Sequence, residues 1–341
     1  MDSHDNPKII FLAWAPFSPR TQNLAESLGA KINLLSYKFR KKIYSPLKYP
    51  LLFVKTLKIL RKENPDIIIN QIPPIFCAFS VLTYIKFFQR EKKKCSMIID
   101  AHTGAFNKPW TLLKPLNKLA MRKADLVIVT NNDLKSKVMK DYNVDSKVLE
   151  DKIPDFNVTS IPAYKEKDNS SYSFSVAFIC SFAYDEPLEN LIQAAVALPE
   201  TRFFVTGDYS KMDNNKKLSL DNKPDNVVFT GFVSYDDYVS LLRHVDAVIV
   251  LTNRDKTMLS GAFEALAVGK PLITSNWNCL MQYYSKGAIC IDNSTAQIKE
   301  AIQTAQRKRA QLEKEMIQLK DERVKEWDQR FYRLKESILN R

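Results

Sequence analysis

ADLVIVTNN, at residues 124–132, is echoed by VDAVIVLTN at residues 245–253. Each reads as an aspartate, an apolar run and then a threonine and an asparagine. An apolar run with no polar alternation is the signature of a strand covered on both faces, as in a parallel sheet. The polar end marks the strand's carboxyl edge, and in doubly wound sheets ligands bind outside that edge. Two such strands, one in each half of the chain, predict two parallel sheets with a polar edge each.

Reading outward from the pair, the first half alternates short apolar runs with amphipathic stretches. Strands are expected at 8–14, 31–35, 66–70, 96–100 and 125–130, with helices at 22–28, 51–62, 75–88 and 110–122. The polar stretch YKEKDNSSYS, residues 164–173, reads as a linker. The pattern then restarts, with strands at 174–180, 202–206, 226–230, 246–251, 271–274 and 288–291 and helices at 188–198, 235–243 and 259–268. Strand–helix alternation is α/β. The expected architecture is two Rossmann-like doubly wound domains, 1–163 and 174–320, facing a central cleft. The tail from Ala296 is strongly helical and highly charged, and in it Val324, Trp327, Phe331, Leu334 and Ile338 recur at three- and four-residue steps. That apolar face predicts a C-terminal helix, 321–341, packed back on the first domain; a solvated coiled-coil arm is the alternative.

Charge is unevenly distributed. Residues 1–150 hold 26 Lys and Arg against 12 Asp and Glu, while the remainder is near balance within a total of +13. A one-signed half points to an anionic partner. From Lys31 to Lys62 there are ten basic residues and no acidic one, interleaved with Tyr37, Phe39, Tyr44, Tyr49 and Phe53. Basic residues mixed with aromatics suit an anionic membrane surface. Nucleic acid is the rival anion, but no RNA- or DNA-binding motif is present, so no nucleic-acid partner is expected. A plain solvated face is the third reading.

The five cysteines form no C-x-x-C pair and there are three histidines in all, which argues against a Cys/His zinc site. Scattered thiols fit a reducing cytoplasm. The N-terminus has no signal-peptide pattern. The longest apolar stretch, 72–88, is broken by Pro73, Pro74 and Lys86, which leaves it short of the roughly 20 residues a membrane span needs. The expectation is a soluble cytoplasmic protein, peripheral at most on the inner face of the cell membrane.

Several chemistries drop out. AWAPFSPR, residues 13–20, replaces the G-x-G-x-x-G of a dinucleotide site. Lys270 follows Gly269 but precedes Pro271, so this is not a P-loop. No D-x-D cluster offers a metal site. No cofactor and no metal are expected.

What remains is KTMLSGAFEALAVGKPLI, residues 256–273. A helix is expected to start near residues 258–260, after the polar loop 252–257 and Met258. The N–H groups of Leu259, Ser260 and Gly261 would then meet an anion at the positive end of the helix dipole. Arg254 and Lys256 add point charges, and Thr257 lies at the same approach. Gly261 either admits a ligand or allows tight helix–sheet packing. Glu264 either accepts two hydrogen bonds from a sugar-type diol or is solvated. Gly269 ends the helix before Pro271. In the first half, His102 follows a strand in IIDAHTGAF, residues 98–106. It is placed to contact a sugar or take a hydroxyl proton, with Asp100 orienting it and Thr103 beside it, or it caps its loop. Arg20, after the first strand, meets an anionic substrate or is solvated.

The block NVVFTGFVSYDDYVSLLRHVDAVIVLTNRDKTMLSGAFEALAVGKPLITSNW, residues 226–277, resembles the donor-binding half of family 4-like glycosyltransferases of GT-B fold, the glycosyl transferases group 1. Residues 178–208 are similar to the first strand–helix–strand of that half, and DAHTGAF with ADLVIVTN to elements of the other. The resemblance covers most of the chain and is loose before Leu60. It implies a nucleotide diphosphate sugar as donor, with Glu264 on the ribose. It implies retention of configuration and transfer to an acceptor held by the first domain. With the basic segment, that acceptor is expected to be a lipid-linked or other glycan of polysaccharide or glycoconjugate assembly. Two positions depart from the pattern. The family often has a second Glu where this chain has Lys256. It often supplies a basic pair from the loop that reads SFAYDEP here, residues 181–187, which has none. Arg254 and Lys256 are expected to take over both functions. An inactive scaffold subunit and a nucleotide-sugar epimerase are the rival readings.

Overall fold

The computed structural model describes residues 7–37, 47–89, 95–156, 172–211 and 223–340. Most of the expected linker, and residues 38–46 of the basic segment, including Phe39 and Tyr44, lie outside the described residues. Two compact units emerge: residues 1–152 with 326–341, and residues 153–325.

The first unit is built on a parallel sheet of β1 (Ile9–Ala13), β2 (Lys31–Leu34), β3 (Ile67–Ile72), β4 (Ser96–Ala101), β5 (Leu126–Val129) and β6 (Lys147–Val148), in the order β2-β1-β3-β4-β5-β6. Helices α1 (Pro19–Leu28), α2 (Lys48–Glu63), α3 (Ile75–Phe87), α4 (Lys114–Lys123) and α5 (Asn132–Tyr142) connect them. The central strands are buried throughout, which is why their sequences are apolar runs.

The second sheet has β7 (Phe174–Phe178), β8 (Thr201–Thr206), β9 (Val227–Gly231), β10 (Ala247–Val250), β11 (Leu272–Ser275) and β12 (Ala288–Ile291), in the order β12-β11-β10-β7-β8-β9, again parallel. Its helices are α6 (Leu188–Val196), α7 (Tyr235–His244), α8 (Ser260–Val268), α9 (Asn278–Tyr283), α10 (Thr295–Arg307) and the long α11 (Arg309–Leu339). In both sheets the strand order reverses once, between β1 and β3 and between β7 and β10. Ligands of doubly wound sheets bind at the carboxyl ends of the strands flanking that reversal.

The echo has a structural cause. Asp125 and Asp246 each sit just before their strand and clamp the start of the neighbouring one. Asp125 Oδ2 accepts from Met97 N at 2.8 Å, and Asp246 Oδ2 accepts from Ser175 N at 2.7 Å. Asp66, before β3, does the same to Lys8 N at 2.8 Å. In each case the aspartate N–H donates back to the carbonyl of that same partner residue. The carboxylate thus satisfies a backbone donor at the end of a ladder.

Three elements, α5, β6 and α9, go beyond the sequence expectation. Asn131, read as the polar end of a strand, is the N-cap of α5 and accepts from Leu134 N at 2.8 Å. The last helix shows the expected apolar face over its final residues: Trp327, Leu334 and Ile338 are buried with Phe11, Leu24, Ile69 and Ile128. Trp327 Nε1 donates to Glu150 O at 3.1 Å, and Arg330 pairs with the Glu150 side chain. Val324 is exposed instead. Among the described residues, no helix is long and apolar enough to cross a membrane.

Candidate functional site

The two strands flanking the second reversal, β7 and β10, end in polar loops that are tied together. Thr252 Oγ1 donates to Asp185 Oδ2 at 2.5 Å, and Asn253 N donates to Asp185 O at 2.8 Å. Arg254 Nη2 lies 2.9 Å from Asp185 Oδ1, and its guanidinium stacks on Tyr184 at 4.7 Å. So Arg254, from the loop after β10, stands beside residues 181–187, the loop that carries no cation of its own. Its Nε is buried without a hydrogen-bond partner among the described residues.

Residues 181–187 are tied together by their own carboxylate. Glu186 accepts from Ser181 N at 3.0 Å, Ser181 Oγ at 2.8 Å and Ala183 N at 2.9 Å. Phe182, between those donors, has φ of 59°, in the left-handed region. Asp185, Glu186 and Tyr184 were not singled out by the sequence reading. A carboxylate inside a strand-to-helix loop was the available signal for the first two.

The Arg254 loop continues to α8. Lys256 takes a left-handed φ of 60° and its amine pairs with Asp255. Thr257 Oγ1 donates to Asp255 O at 3.3 Å. The Met258 and Leu259 side chains pack against the core. Leu259 is the N-cap, and no side chain caps this helix, whereas Ser18, Asn131, Ser234 and Ser294 cap α1, α5, α7 and α10. The first-turn donors are therefore Ser260 and Gly261. Leu259 lies one residue outside, and Ala262 N already bonds Leu259 O at 3.0 Å.

Gly261 is explained by packing. A Cβ there would lie 2.9 Å from the Ile179 side chain, so the missing side chain brings α8 close to the segment after β7. Glu264, one turn on, is half-buried rather than solvated. Its Oε2 accepts from the Tyr238 hydroxyl of α7, a partner the sequence reading missed. Burial raises the Glu264 carboxyl above its ordinary range, with the Tyr238 hydrogen bond pulling the other way. Burial and then the Glu264 charge push the Tyr238 hydroxyl well up, so Tyr238 remains an O–H donor at neutral pH. Gly269, with φ of 71°, is the C-cap.

In the first unit, His102 follows β4 and Thr103 opens a short helical turn, Thr103–Phe106. His102 Nε2 lies 3.0 Å from Asp100 Oδ2. Asp100 is fully buried, and Arg20 grips it through Nε and Nη2 at 2.8–3.1 Å. Arg20 Nη1 also reaches Asp151 at 2.8 Å. Burial would raise the Asp100 carboxyl, but Arg20 and then His102 hold it well below the usual range. Arg20 is 7% exposed; it is neither solvated nor turned to a substrate, because two carboxylates already engage it. Its partner Asp100 is the carboxylate that also meets His102. Among the described residues, no group of three or more His, Cys, Asp or Glu is placed to hold a metal ion.

The family model for glycosyl transferases group 1 matches residues 162–322. An uncharacterised glycosyltransferase of Methanocaldococcus jannaschii is 22% identical over 201 residues, 55% of this chain and 51% of that protein. The chain thus spans about half the length of this curated relative. Among solved structures, Anabaena HepE in complex with UDP-glucose superposes with a TM-score of 0.71 at 16% identity, covering 97% of this chain and 100% of the other. Sucrose-phosphate synthase from Thermosynechococcus elongatus gives 0.69 at 14%, covering 96% and 98%. At such identities the two structures establish the fold, which is GT-B.

Proposed function

Because the family model for glycosyl transferases group 1 matches residues 162–322, we propose that this chain transfers a sugar from a nucleotide diphosphate sugar to a lipid-linked glycan acceptor at an anionic membrane surface. The observation that carries the reading is the position of Arg254. It stands at the strand reversal, beside a loop with no cation and one short loop before the uncapped start of α8. The diphosphate takes the N–H groups of Ser260 and Gly261 together with Arg254 and Lys256. Glu264 uses the carboxylate oxygen not bonded to Tyr238 to accept from the ribose hydroxyls. Relatives solved with UDP and UDP-glucose fit that donor class.

Catalysis on this reading is positioning and charge stabilisation. Arg254, Lys256 and the α8 dipole stabilise the departing diphosphate without a metal, and the anomeric configuration is retained. His102, its Nε2 turned to Asp100, offers Nδ1 to a hydroxyl of the acceptor held by the first unit. The membrane part of the proposal rests on α2. Leu47, Leu51 and Val54 form an exposed stripe at four- and three-residue steps, 46–54% accessible. The exposed Lys55, Lys58, Arg61 and Lys62 flank it. Apolar side chains between basic ones suit an interface of anionic lipid, at about 1 kcal/mol per cation.

Thermal shift against UDP-, GDP-, ADP- and CMP-sugars tests the donor. Ligand at a hundred times Kd stabilises by about 2.7 kcal/mol, a rise of several degrees for a chain of this size. One base class should shift the wild type and not Arg254→Met. A flat response to every nucleotide sugar sinks the transferase. Co-sedimentation with phosphatidylglycerol vesicles tests the membrane: Leu51→Ser with Val54→Ser should release the protein, and equal pelleting of the variant removes α2 from the account.

A further inference from the structure

The first unit has its own strand reversal, between β1 and β3, and a cavity of about 280 Å³ lies there. Trp14 and Pro16 reach it from the end of β1, Tyr37 from the end of β2, and Pro73 from the end of β3. Lys48 and Tyr49 close it from the first turn of α2, and Trp110 from the segment before α4. Nothing in the donor chemistry uses these residues.

The walls are aromatic and fixed. Tyr49, Phe76 and Trp110 form a mutual cluster with centroids 5.1–6.1 Å apart. Trp14 Nε1 is turned away to Thr56 Oγ1 at 3.0 Å, so its ring, not its N–H, meets the cavity. The Lys48 amine lies 4.9 Å from the Tyr49 ring centroid. The His102 loop packs against the β3 end that lines the cavity: a Cβ on Gly104 would lie 3.3 Å from the Pro73 ring, and His102 N bonds Ile72 O at 3.0 Å.

We propose that this cavity, resting on the glycosyltransferase reading above, is the seat of the acceptor's terminal sugar, with an anionic group of that acceptor on Lys48. One face of a pyranose ring presents C–H groups and its rim presents hydroxyls. Flat aromatic walls take such a face, and Ser36 and Lys48 take rim and anion. The volume is near the lower limit of ~300 Å³ for small-molecule sites, which suits one sugar unit and not a polyisoprenoid chain. The chain has a separate place outside, along the exposed stripe of α2.

Ligand-observed NMR on the full chain tests this with glucose 1-phosphate, galactose 1-phosphate and N-acetylglucosamine 1-phosphate, each beside its methyl glycoside. Farnesyl phosphate and UDP are run in the same series. At least one sugar phosphate should receive saturation on its ring protons, falling at least fivefold in Trp110→Ala and in Tyr37→Ala, whose side chain is exposed enough to leave folding intact. Lys48→Met should keep the ring contact and abolish the preference for phosphate over methyl glycoside. Saturation unchanged in both aromatic variants overturns the proposal. So does silence from every sugar, and so does displacement by farnesyl phosphate alone, which would make the cavity a slot for the lipid carrier. The donor reading fails separately: if GDP, ADP and CMP, run beside UDP, are all silent with it while the sugars bind, the donor assignment fails and the cavity stands as a sugar site without the acceptor role.

Discussion

The carboxyl edges of the two sheets are built from similar strands and hold their charges in opposite ways. At the first edge, Arg20, Asp100 and Asp151 neutralise one another under cover, and Arg20 is 7% exposed. At the second, Arg254 is about one-third accessible and engages Asp185 on one side only. The contrast begins where the echoed nonapeptides stop. After β5, Asn131 caps α5 at once. After β10, Thr252 is held by Ser275, Trp277 and Asp185, and a further loop intervenes before α8. That loop carries Arg254 and Lys256. One edge therefore has a rigid polar foundation beneath a single histidine, and the other has cations within reach of solvent.

The comparison breaks most sharply at its two arginines. Arg20→Met leaves Asp100 buried with His102 as its remaining ionisable partner, a loss of about 3–5 kcal/mol and a fall in Tm on the order of 10 °C. Arg254→Met breaks a pair exposed on the arginine side only, and Asp185 keeps its hydrogen bond from Thr252, so the loss should be smaller, about 1–2 kcal/mol, while nucleotide-sugar affinity falls at least tenfold. Parallel melting and binding curves decide it. An equal loss of Tm in both variants would show the second edge to be structural as well. The Arg20–Asp100 contribution also has a pH signature. Because the Asp100 carboxyl is held below its ordinary range, that stability is present above about pH 4 and disappears as pH falls further.

Gly261 sharpens the comparison at the level of packing. Gly261→Ala forces a methyl to 2.9 Å from Ile179, an overpacking loss of about 1–3 kcal/mol. Ile179→Ala in the same chain should recover most of it. If Gly261→Ala instead keeps its Tm and loses only nucleotide binding, the glycine serves the ligand.

The strands and their order of alternation were legible because burial on both faces leaves continuous apolar runs, and 226–277 carried a resemblance to the same family whose model matches 162–322. Glu264 and Arg254 were legible as a helix carboxylate and a loop cation. What escaped was pairing across long separations. Nothing local tells that Arg20 turns inward to Asp151, 131 positions on, or that Tyr238 finds Glu264 from another helix. Spacing left Gly261 open between a ligand and tight packing, and the neighbour that speaks for packing, Ile179, lies on another strand's extension. Asn131 shows the same ambiguity locally: a polar residue after a strand is an edge group or an N-cap, and only the next turn of chain decides.

The smallest effect on stability, and the one that separates folding from function at the second edge, belongs to Glu264. Its carboxyl is raised by burial, so the folded state holds a proton there more tightly than the unfolded chain does. Its contribution to stability is then fully present below the unfolded value, about pH 4.3, and is lost as pH rises through the higher folded value. Glu264→Gln removes that charge and keeps an acceptor for Tyr238. It should raise stability slightly at pH 7.5, by about 1 kcal/mol or less with a correspondingly small rise in Tm, the gain vanishing below about pH 4. Nucleotide affinity should move the other way, falling about tenfold, since hydrogen bonds to an ionised carboxylate are worth roughly 1.5–3 kcal/mol. A residue whose replacement improves the fold and weakens the ligand is kept for the ligand. If Tm and affinity fall together, Glu264 serves the packing of α7 on α8, and the ribose needs another partner.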